Sequence, residues 1–185
     1  IDLRWTSGQR YTLGAASFSQ DPNPIIRERL LQRLVNWKQG EPYDEDKLER
    51  LRRSLIGLDY FGLVDVHPVP DKAEGTQVPV QVTLSPAPRS IYSAGVSYGT
   101  QSGAGISLGL QRRYLNQRGH KLLAQLDYAS KRKTATVQYR VPAFAWLDGW
   151  YSASLQAADE QTDYVNSRRL EFVASRSGQY SDTIN

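Results

Sequence analysis

The chain has 185 residues and a formal net charge of +4 at pH 7, and it contains neither cysteine nor methionine. The lack of cysteine excludes disulfides, thiol catalysis and cysteine metal sites, and a modest positive charge spread over both halves argues against nucleic-acid binding. Mean hydropathy is -0.55, which is too low for a helical membrane span but is compatible with barrel strands, because these are apolar on one face only. Since position 1 is isoleucine and no signal segment opens the chain, we expect a piece of a longer polypeptide.

The first half predicts a small α/β module. Residues 11–18 alternate weakly and predict a strand. Asn23 suits an N-cap and Pro24 suits the first position of a helix that follows. The apolar face and the end of this first helix are expected at Ile26, Leu30, Leu34, Trp37 and Gly40.

A second helix is predicted to begin at Asp44, because carboxylates in a first turn are favoured by the helix dipole. Its buried stripe is expected at Leu48, Leu51, Leu55 and Leu58. Residues 60–66 and 77–84 predict two further strands. Pro79 lacks an N–H, so we expect its strand to place it on the outward side of a sheet edge.

The motifs Gly40-x-x-Tyr43-Asp44 and Tyr60-Phe61-Gly62-x-Val64-x-Val66, in this order of elements, resemble a POTRA domain. Such domains lie in series in the periplasm ahead of an outer-membrane barrel. The resemblance implies that residues 9–88 are the last POTRA domain. It also implies that residues 1–8 end the preceding one, with a closing strand over residues 1–5.

Residues 91–177 repeat a period-two pattern in six stretches, at 92–100, 104–114, 120–130, 133–141, 150–158 and 168–177. In the first stretch, Tyr92, Ala94, Val96 and Tyr98 face one way and Ser93, Gly95, Ser97 and Gly99 face the other. Strands of about 9–11 residues with one oily and one hydrophilic face are typical of a membrane β-barrel wall. The alternative is a soluble antiparallel sandwich, in which a second layer would have to cover the oily face.

Two connections carry further expectations. Phe144, Trp146 and Trp150 predict an aromatic girdle at a bilayer interface. The run Lys131-Arg132-Lys133 would meet lipopolysaccharide phosphates if its hairpin points outward, and otherwise it is a solvated turn.

Three further motifs are similar to the start of the barrel in the TamA family, within the BamA-related superfamily. They are Tyr92-x-Ala94-Gly95-Val96-Ser97-Tyr98-Gly99-Thr100, Leu115-Asn116-x-x-Gly119-His120 and Tyr139-Arg140-Val141-Pro142. The resemblance implies an α+β POTRA domain followed, over residues 89–185, by the first six or so strands of a sixteen-stranded antiparallel transmembrane β-barrel. The stretch after Pro142 lacks the second proline that the family pattern would have.

The resemblance also implies a function: assembly or translocation of outer-membrane proteins, such as autotransporters. The implied partners are a TamB-like inner-membrane-anchored protein, unfolded outer-membrane protein clients and outer-membrane lipid, with no nucleic acid and no cofactor. The implied location is the bacterial outer membrane, with the POTRA part in the periplasm. A two-partner secretion pore and phospholipid transport between membranes remain alternatives.

An unpaired strand edge is costly in lipid unless another strand satisfies its N–H and C=O groups. In the family, the first and last strands meet at a seam that opens sideways, where a client strand can pair by β-augmentation. The small inner residues of the first strand either ease this opening or make room inside the barrel. The candidate pairing residues are Tyr92, Ser93, Ala94, Gly95, Val96, Ser97, Tyr98 and Gly99 on the first strand, and Tyr60, Phe61, Gly62, Leu63 and Val64 on a possible POTRA edge strand.

An enzyme is not expected. The two histidines, His67 and His120, are far apart in the sequence, and each lies beside a strand end or turn. The sequence shows no Ser-His-Asp spacing, phosphate loop or clustering of metal ligands, so neither catalytic nor metal residues are predicted.

Overall fold

The computed structural model describes residues 10–100, 103–143, 149–161 and 166–178. Its elements are β1 (Thr12–Gln20), α1 (Glu28–Gln32), α2 (Glu45–Gly57), β2 (Phe61–Pro68), β3 (Gln77–Pro86), β4 (Ser90–Gly99), β5 (Gly103–Arg112), β6 (Lys121–Ala129), β7 (Arg132–Pro142), β8 (Trp150–Gln161) and β9 (Asn166–Ser177). The first three strands form a sheet in the order β1-β3-β2, and the other six form a second sheet in sequential order. The predicted β-α-α-β-β module and the six strands after it are confirmed. Residues 1–8, where the end of a preceding domain was expected, lie outside the described part.

Helix α2 forms as its sequence predicts. The carboxylate of Asp44 accepts a hydrogen bond from the Asp46 amide at 3.0 Å and so caps the helix. The predicted leucine stripe faces the three-stranded sheet, and each leucine is at most 5% exposed. On the sheet side, the alternating residues of β3 complete this core with Val78, Val80, Val82 and Leu84. No helix in the described residues is long and apolar enough to cross a membrane.

The first helix is shorter than predicted, and the predictions of its first and last residues are both wrong. It begins after Arg27, not Asn23, because the Gln20 side chain accepts hydrogen bonds from the amides of Ile25 and Ile26 and holds that segment in a loop. It ends at Gln32. The amides of Leu34 and Val35 then donate to the carbonyls three residues earlier, those of Leu31 and Gln32, and the Trp37 indole donates to the Gly14 carbonyl of β1 at 3.0 Å.

Gly40, predicted to end the first helix, lies in a later turn with φ +86° and donates its amide to the Leu13 carbonyl. The expected apolar face is nevertheless inside: Ile26, Leu34 and Trp37 are all buried. Hydrophobic spacing therefore identified what is buried, while hydrogen bonds to β1 decided the backbone conformation.

Pro79 does not lie on an edge strand. It belongs to β3, the central strand, which pairs with β1 in parallel and with β2 in antiparallel orientation. The β1–β3 register shifts between Leu13 and Ala16, opposite Pro79. A bulge of this kind leaves a residue without a ladder partner, so it accommodates the missing N–H of proline within a central strand.

The six-stranded sheet has one apolar and one polar face. Following the strand register, one transverse row joins Tyr92, Leu110, Ala124, Val137, Leu155 and Phe172. A neighbouring row on the opposite face joins Ser93, Gly109, Gln125, Thr136, Gln156 and Glu171. The polar face lines a cavity of about 440 Å³ that includes Asp127 and Arg132.

The apolar face has no covering layer among the described residues. Val96 is 89% exposed, Tyr98 is 81% exposed and Leu170 is 73% exposed. A sandwich would bury these side chains under a second sheet, so the sandwich alternative is wrong for this part of the chain. A large exposed apolar surface of this kind is typical of contact with lipid.

The direction of the strands distinguishes the two ends of this sheet. Only three residues, 87–89, separate the end of β3 from the start of β4, so the beginning of β4 lies beside the α/β domain. The strands alternate in direction. The β5–β6 turn and the start of β8 therefore also lie at the domain end. The β6–β7 turn, which includes Lys131, lies at the far end.

Candidate functional site

Strand β4 has one paired side and one free side. It pairs antiparallel with β5 over its whole length, from Ser90 opposite Arg112 to Gly99 opposite Gly103. Among the described residues no strand adjoins its other side. The eight predicted pairing residues, from Tyr92 to Gly99, all lie on this strand. Its free N–H and C=O groups are the part of the sheet that another strand could extend.

The small residues on the polar face of β4 fit those of β5. Ser93 stands opposite Gly109, and Gly95 stands opposite Ser107. A Cβ on Gly95 would lie 2.7 Å from the Ser107 hydroxyl, and a Cβ on Gly109 would overlap the Ser93 hydroxyl. Each serine therefore occupies the space that its facing glycine leaves. The small residues of β4 therefore pack against β5, and they do not contact the free side of β4.

The second candidate edge, β2, lies at one side of the three-stranded sheet. Gly62 and Leu63 are exposed there, and Val64 is partly buried. The side chains of the other two predicted pairing residues are buried: Tyr60 is fully buried, and Phe61 is 7% exposed. Strand pairing uses backbone N–H and C=O groups, and alternate side chains of any edge strand face its own core, so pairing at this edge stays a prediction.

Tyr60 joins the α/β domain to the six-stranded sheet. Its hydroxyl donates a hydrogen bond to the Gly119 carbonyl at 2.5 Å. Its ring lies edge-on to Trp150 with 6.4 Å between centroids, and the Lys121 ammonium lies 5.1 Å from the Tyr60 ring and 5.0 Å from the Trp150 ring. Burial raises the pKa of the Tyr60 phenol, which keeps it a proton donor.

Polar contacts also connect the α/β domain with the six-stranded sheet. Asp59 has φ +57° and accepts from the Arg113 guanidinium at 3.1 Å, and Arg113 also donates to the Pro88 carbonyl at 3.1 Å. The linker residue Arg89 donates to the carbonyls of Tyr114 and Leu115. Arg113 thus joins the α2–β2 turn to the linker, and Arg89 joins the linker to the β5–β6 turn. We call Asp59, Tyr60, Arg113, Gly119, Lys121 and Trp150 the joint.

Trp150 is not part of an aromatic girdle. It is 7% exposed, and the Arg140 guanidinium lies 4.8 Å from its ring. Its neighbour Tyr151 lies on the apolar face, so strand alternation turns Trp150 to the polar face and towards Tyr60. Phe144 and Trp146, the other two residues of the predicted girdle, lie outside the described residues.

The two histidines have separate structural contacts. His67 lies 3.2 Å from the Asp65 carboxylate within β2, and His120 lies 2.5 Å from the Tyr139 hydroxyl beside the β5–β6 turn. Within the described ranges no three His, Cys, Asp or Glu side chains are grouped so that they could hold a metal ion.

The sequence did not predict the joint. Tyr60 and Gly119 are 59 positions apart, and no local pattern links them. One signal was present: Tyr151 alternates with Ala153, Leu155 and Ala157 on the apolar side of its strand, so Trp150 must face the other way. An indole among polar residues at a strand end indicates a packing partner from elsewhere in the chain.

Comparison with known proteins agrees with this architecture. Residues 11–86 match the POTRA family model, described as a surface antigen variable number repeat. The structure is similar to BamA from Haemophilus ducreyi lacking POTRA domains 1–3, with a TM-score of 0.72 and 16% identity over 92% of this chain. It is also similar to CdiB from Acinetobacter baumannii, with a TM-score of 0.61 and 15% identity over 92% of this chain.

The chain spans about a third of those two proteins, 32% of the BamA chain and 35% of the CdiB chain. At these identities the likeness describes the fold. Residues 11–86 are therefore a POTRA domain, and it is followed by six antiparallel strands that form an unclosed part of a β-barrel wall.

Proposed function

We propose that this chain is the POTRA and first-strand portion of an outer-membrane protein of the BamA-related superfamily that assembles or exports other proteins. The observation that carries the proposal is β4, which has an apolar face, a polar face and one free side, and which follows the POTRA domain after three residues. A client strand adds to the free side of β4, because pairing satisfies backbone groups that lipid cannot.

Within this proposal, the TamA family resemblance favours a TamB-like inner-membrane-anchored partner and unfolded clients such as autotransporters. The same resemblance supports phospholipid transport between membranes as an alternative. The likeness to CdiB supports a second alternative, a two-partner secretion pore, although its TM-score is lower than that of BamA.

A disulfide across the seam of the full-length protein tests the proposed pairing. Val96→Cys, combined with a cysteine in the closing strand, is expected to abolish client assembly when oxidised and to restore it on reduction. The measurement is the yield of folded client in proteoliposomes. Unchanged assembly with the seam closed would reject strand addition at β4.

The matched control is the pair Val96→Cys and Ile106→Cys. These two residues face each other across β4 and β5, so their disulfide constrains the hairpin and leaves the seam free. Assembly is expected to continue in this variant. A loss as large as that of the seam variant would show that the disulfide acts by stiffening β4.

The POTRA edge is tested by photocrosslinking. Leu63 on β2 is 56% exposed and Ile56 on α2 is 51% exposed, so a crosslinker at either position meets solvent equally. We expect an extended client to react at Leu63 and to give little product at Ile56, because only β2 offers free backbone groups. Equal yields at the two positions would argue against pairing at β2.

A further inference from the structure

The apolar face carries charged residues at its far end. One transverse row joins Tyr128, Lys133, Asp159 and Arg168. The Lys133 ammonium lies 5.2 Å from the Tyr128 ring, and the Arg168 guanidinium lies 3.5 Å from the Asp159 carboxylate. The Arg168 side chain is 85% exposed. Two cations and one carboxylate leave the row with a net positive charge.

The next row towards the POTRA domain is a groove with an apolar floor. It joins Leu126, Ala135, Ala157 and Leu170 across four strands. Two alanines side by side between two leucines leave a hollow of about 440 Å³. Lys133, Asp159 and Arg168 line it on the side towards the far end of the sheet. The rows beyond the alanines hold Val137 and Leu155, which close the groove at that end.

The apolar row and the charged row together match the two parts of a lipid, its acyl chain and its charged head group. Acyl carbons fit the alanine floor and leucine walls, and cations stand where the apolar surface ends. Arginine and lysine both bind phosphate, arginine through two N–H groups and lysine as a point charge. Because this end of the sheet is opposite the POTRA domain, it lies in the outer leaflet if the proposed function holds.

We propose that Lys133 and Arg168 bind the phosphate of an outer-leaflet lipid whose acyl chain lies over Ala135 and Ala157. The occupant is a phosphorylated lipid of the lipid A type. The proposal rests on the outer-membrane placement given above. It also selects between the two readings of the Lys131-Arg132-Lys133 run, because the β6–β7 turn lies at the far end and Lys133 faces the apolar side.

The test is native mass spectrometry of the full-length protein with bisphosphorylated lipid A, and with the same lipid after removal of its phosphates. At about 1 kcal/mol for each cation, the double variant Lys133→Ala, Arg168→Ala is expected to weaken binding of the phosphorylated lipid roughly 10- to 30-fold. Asp159→Asn is expected to tighten binding, because it removes the carboxylate that competes for Arg168. Ala157→Phe fills the groove and is expected to weaken binding with both cations in place.

The matched control is Arg176→Ala. The Arg176 guanidinium lies 5.2 Å from the Tyr151 ring, the same distance as the Lys133 pair, but at the POTRA end of the strands. It is expected to leave lipid A binding unchanged. Equal binding of the dephosphorylated lipid, or an equal loss in Arg176→Ala, would overturn the site. These results would leave the proposed function standing, whereas failure of the protein to insert into vesicles would contradict the proposed function itself.

Discussion

Gly119→Val is expected to separate the POTRA domain from the barrel strands. Gly119 has φ +75°, and a Cβ there would lie 2.5 Å from the Tyr60 hydroxyl oxygen and 3.3 Å from the Pro142 ring. Valine would combine a strained backbone with overpacking, at a cost of about 2–6 kcal/mol. The cost falls on the joint, because Tyr60 is the residue that must move.

The measurement is tryptic cleavage at Arg89 in the full-length protein. Arg89 is exposed in the linker, and its side chain donates to the carbonyls of Tyr114 and Leu115, so we expect cleavage there to be slow only while the linker is held in place. We expect fast cleavage in Gly119→Val. The control is Gly75→Val, since Gly75 has φ +66° and no atom within 4 Å of an added Cβ. Equal cleavage in both variants would show that backbone strain alone, and not the contact with Tyr60, weakens the protein.

Tyr60→Phe is a milder change at the same contact. It keeps the ring between Lys121 and Phe61 and removes only the donor to the Gly119 carbonyl. A buried carbonyl without its partner costs about 1–3 kcal/mol. We expect cleavage at Arg89 to be intermediate between wild type and Gly119→Val, which keeps the prediction testable if the valine variant does not fold.

Leu55→Ala is expected to destabilise the POTRA domain by about 2–5 kcal/mol, the usual range for a buried leucine replaced by alanine. Leu55 is fully buried on α2 against the three-stranded sheet. The measurement is urea unfolding of the full-length protein followed by the helical circular dichroism signal. Both described α-helices belong to this domain, so the part of the transition that shifts relative to wild type reports on it.

The neighbouring residue provides the control. Ile56 is 51% exposed on the same helix, and Ile56→Ala is expected to change stability by no more than about 0.5 kcal/mol, as is usual at exposed positions. A similar loss in both variants would mean that α2 does not pack as described. A loss confined to Leu55→Ala would support the leucine stripe as the source of domain stability.

The joint sets the position of the POTRA domain relative to the barrel strands. It holds the POTRA domain at the polar side of the sheet, beside the start of β4. The contacts are the hydrogen bond from Tyr60 to the Gly119 carbonyl and those from Arg113 to Asp59 and Pro88. The β2 edge therefore has a defined position relative to the free side of β4.

Residue patterns within a few positions of one another are sufficient to predict the local elements of this fold. Strand alternation from Tyr92 onward identified both faces of the barrel wall, because successive side chains must point to opposite sides of a strand. Leucine spacing and the Asp44 cap likewise determined α2. These features depend on neighbours within a few positions, so no knowledge of the tertiary structure was needed.

Hydrogen bonds between residues far apart in the sequence depend on the tertiary structure. The Gln20 side chain accepts from the Ile25 amide and the Trp37 indole donates to the Gly14 carbonyl, which shortens α1, and a bulge in β1 accommodates Pro79 in a central strand. Tyr60 and Trp150 became buried because two separate sheets meet at them. A buried polar group must find a partner wherever the fold provides one. That partner can be 59 positions away, as for Tyr60 and Gly119, and local spacing carries no information about it.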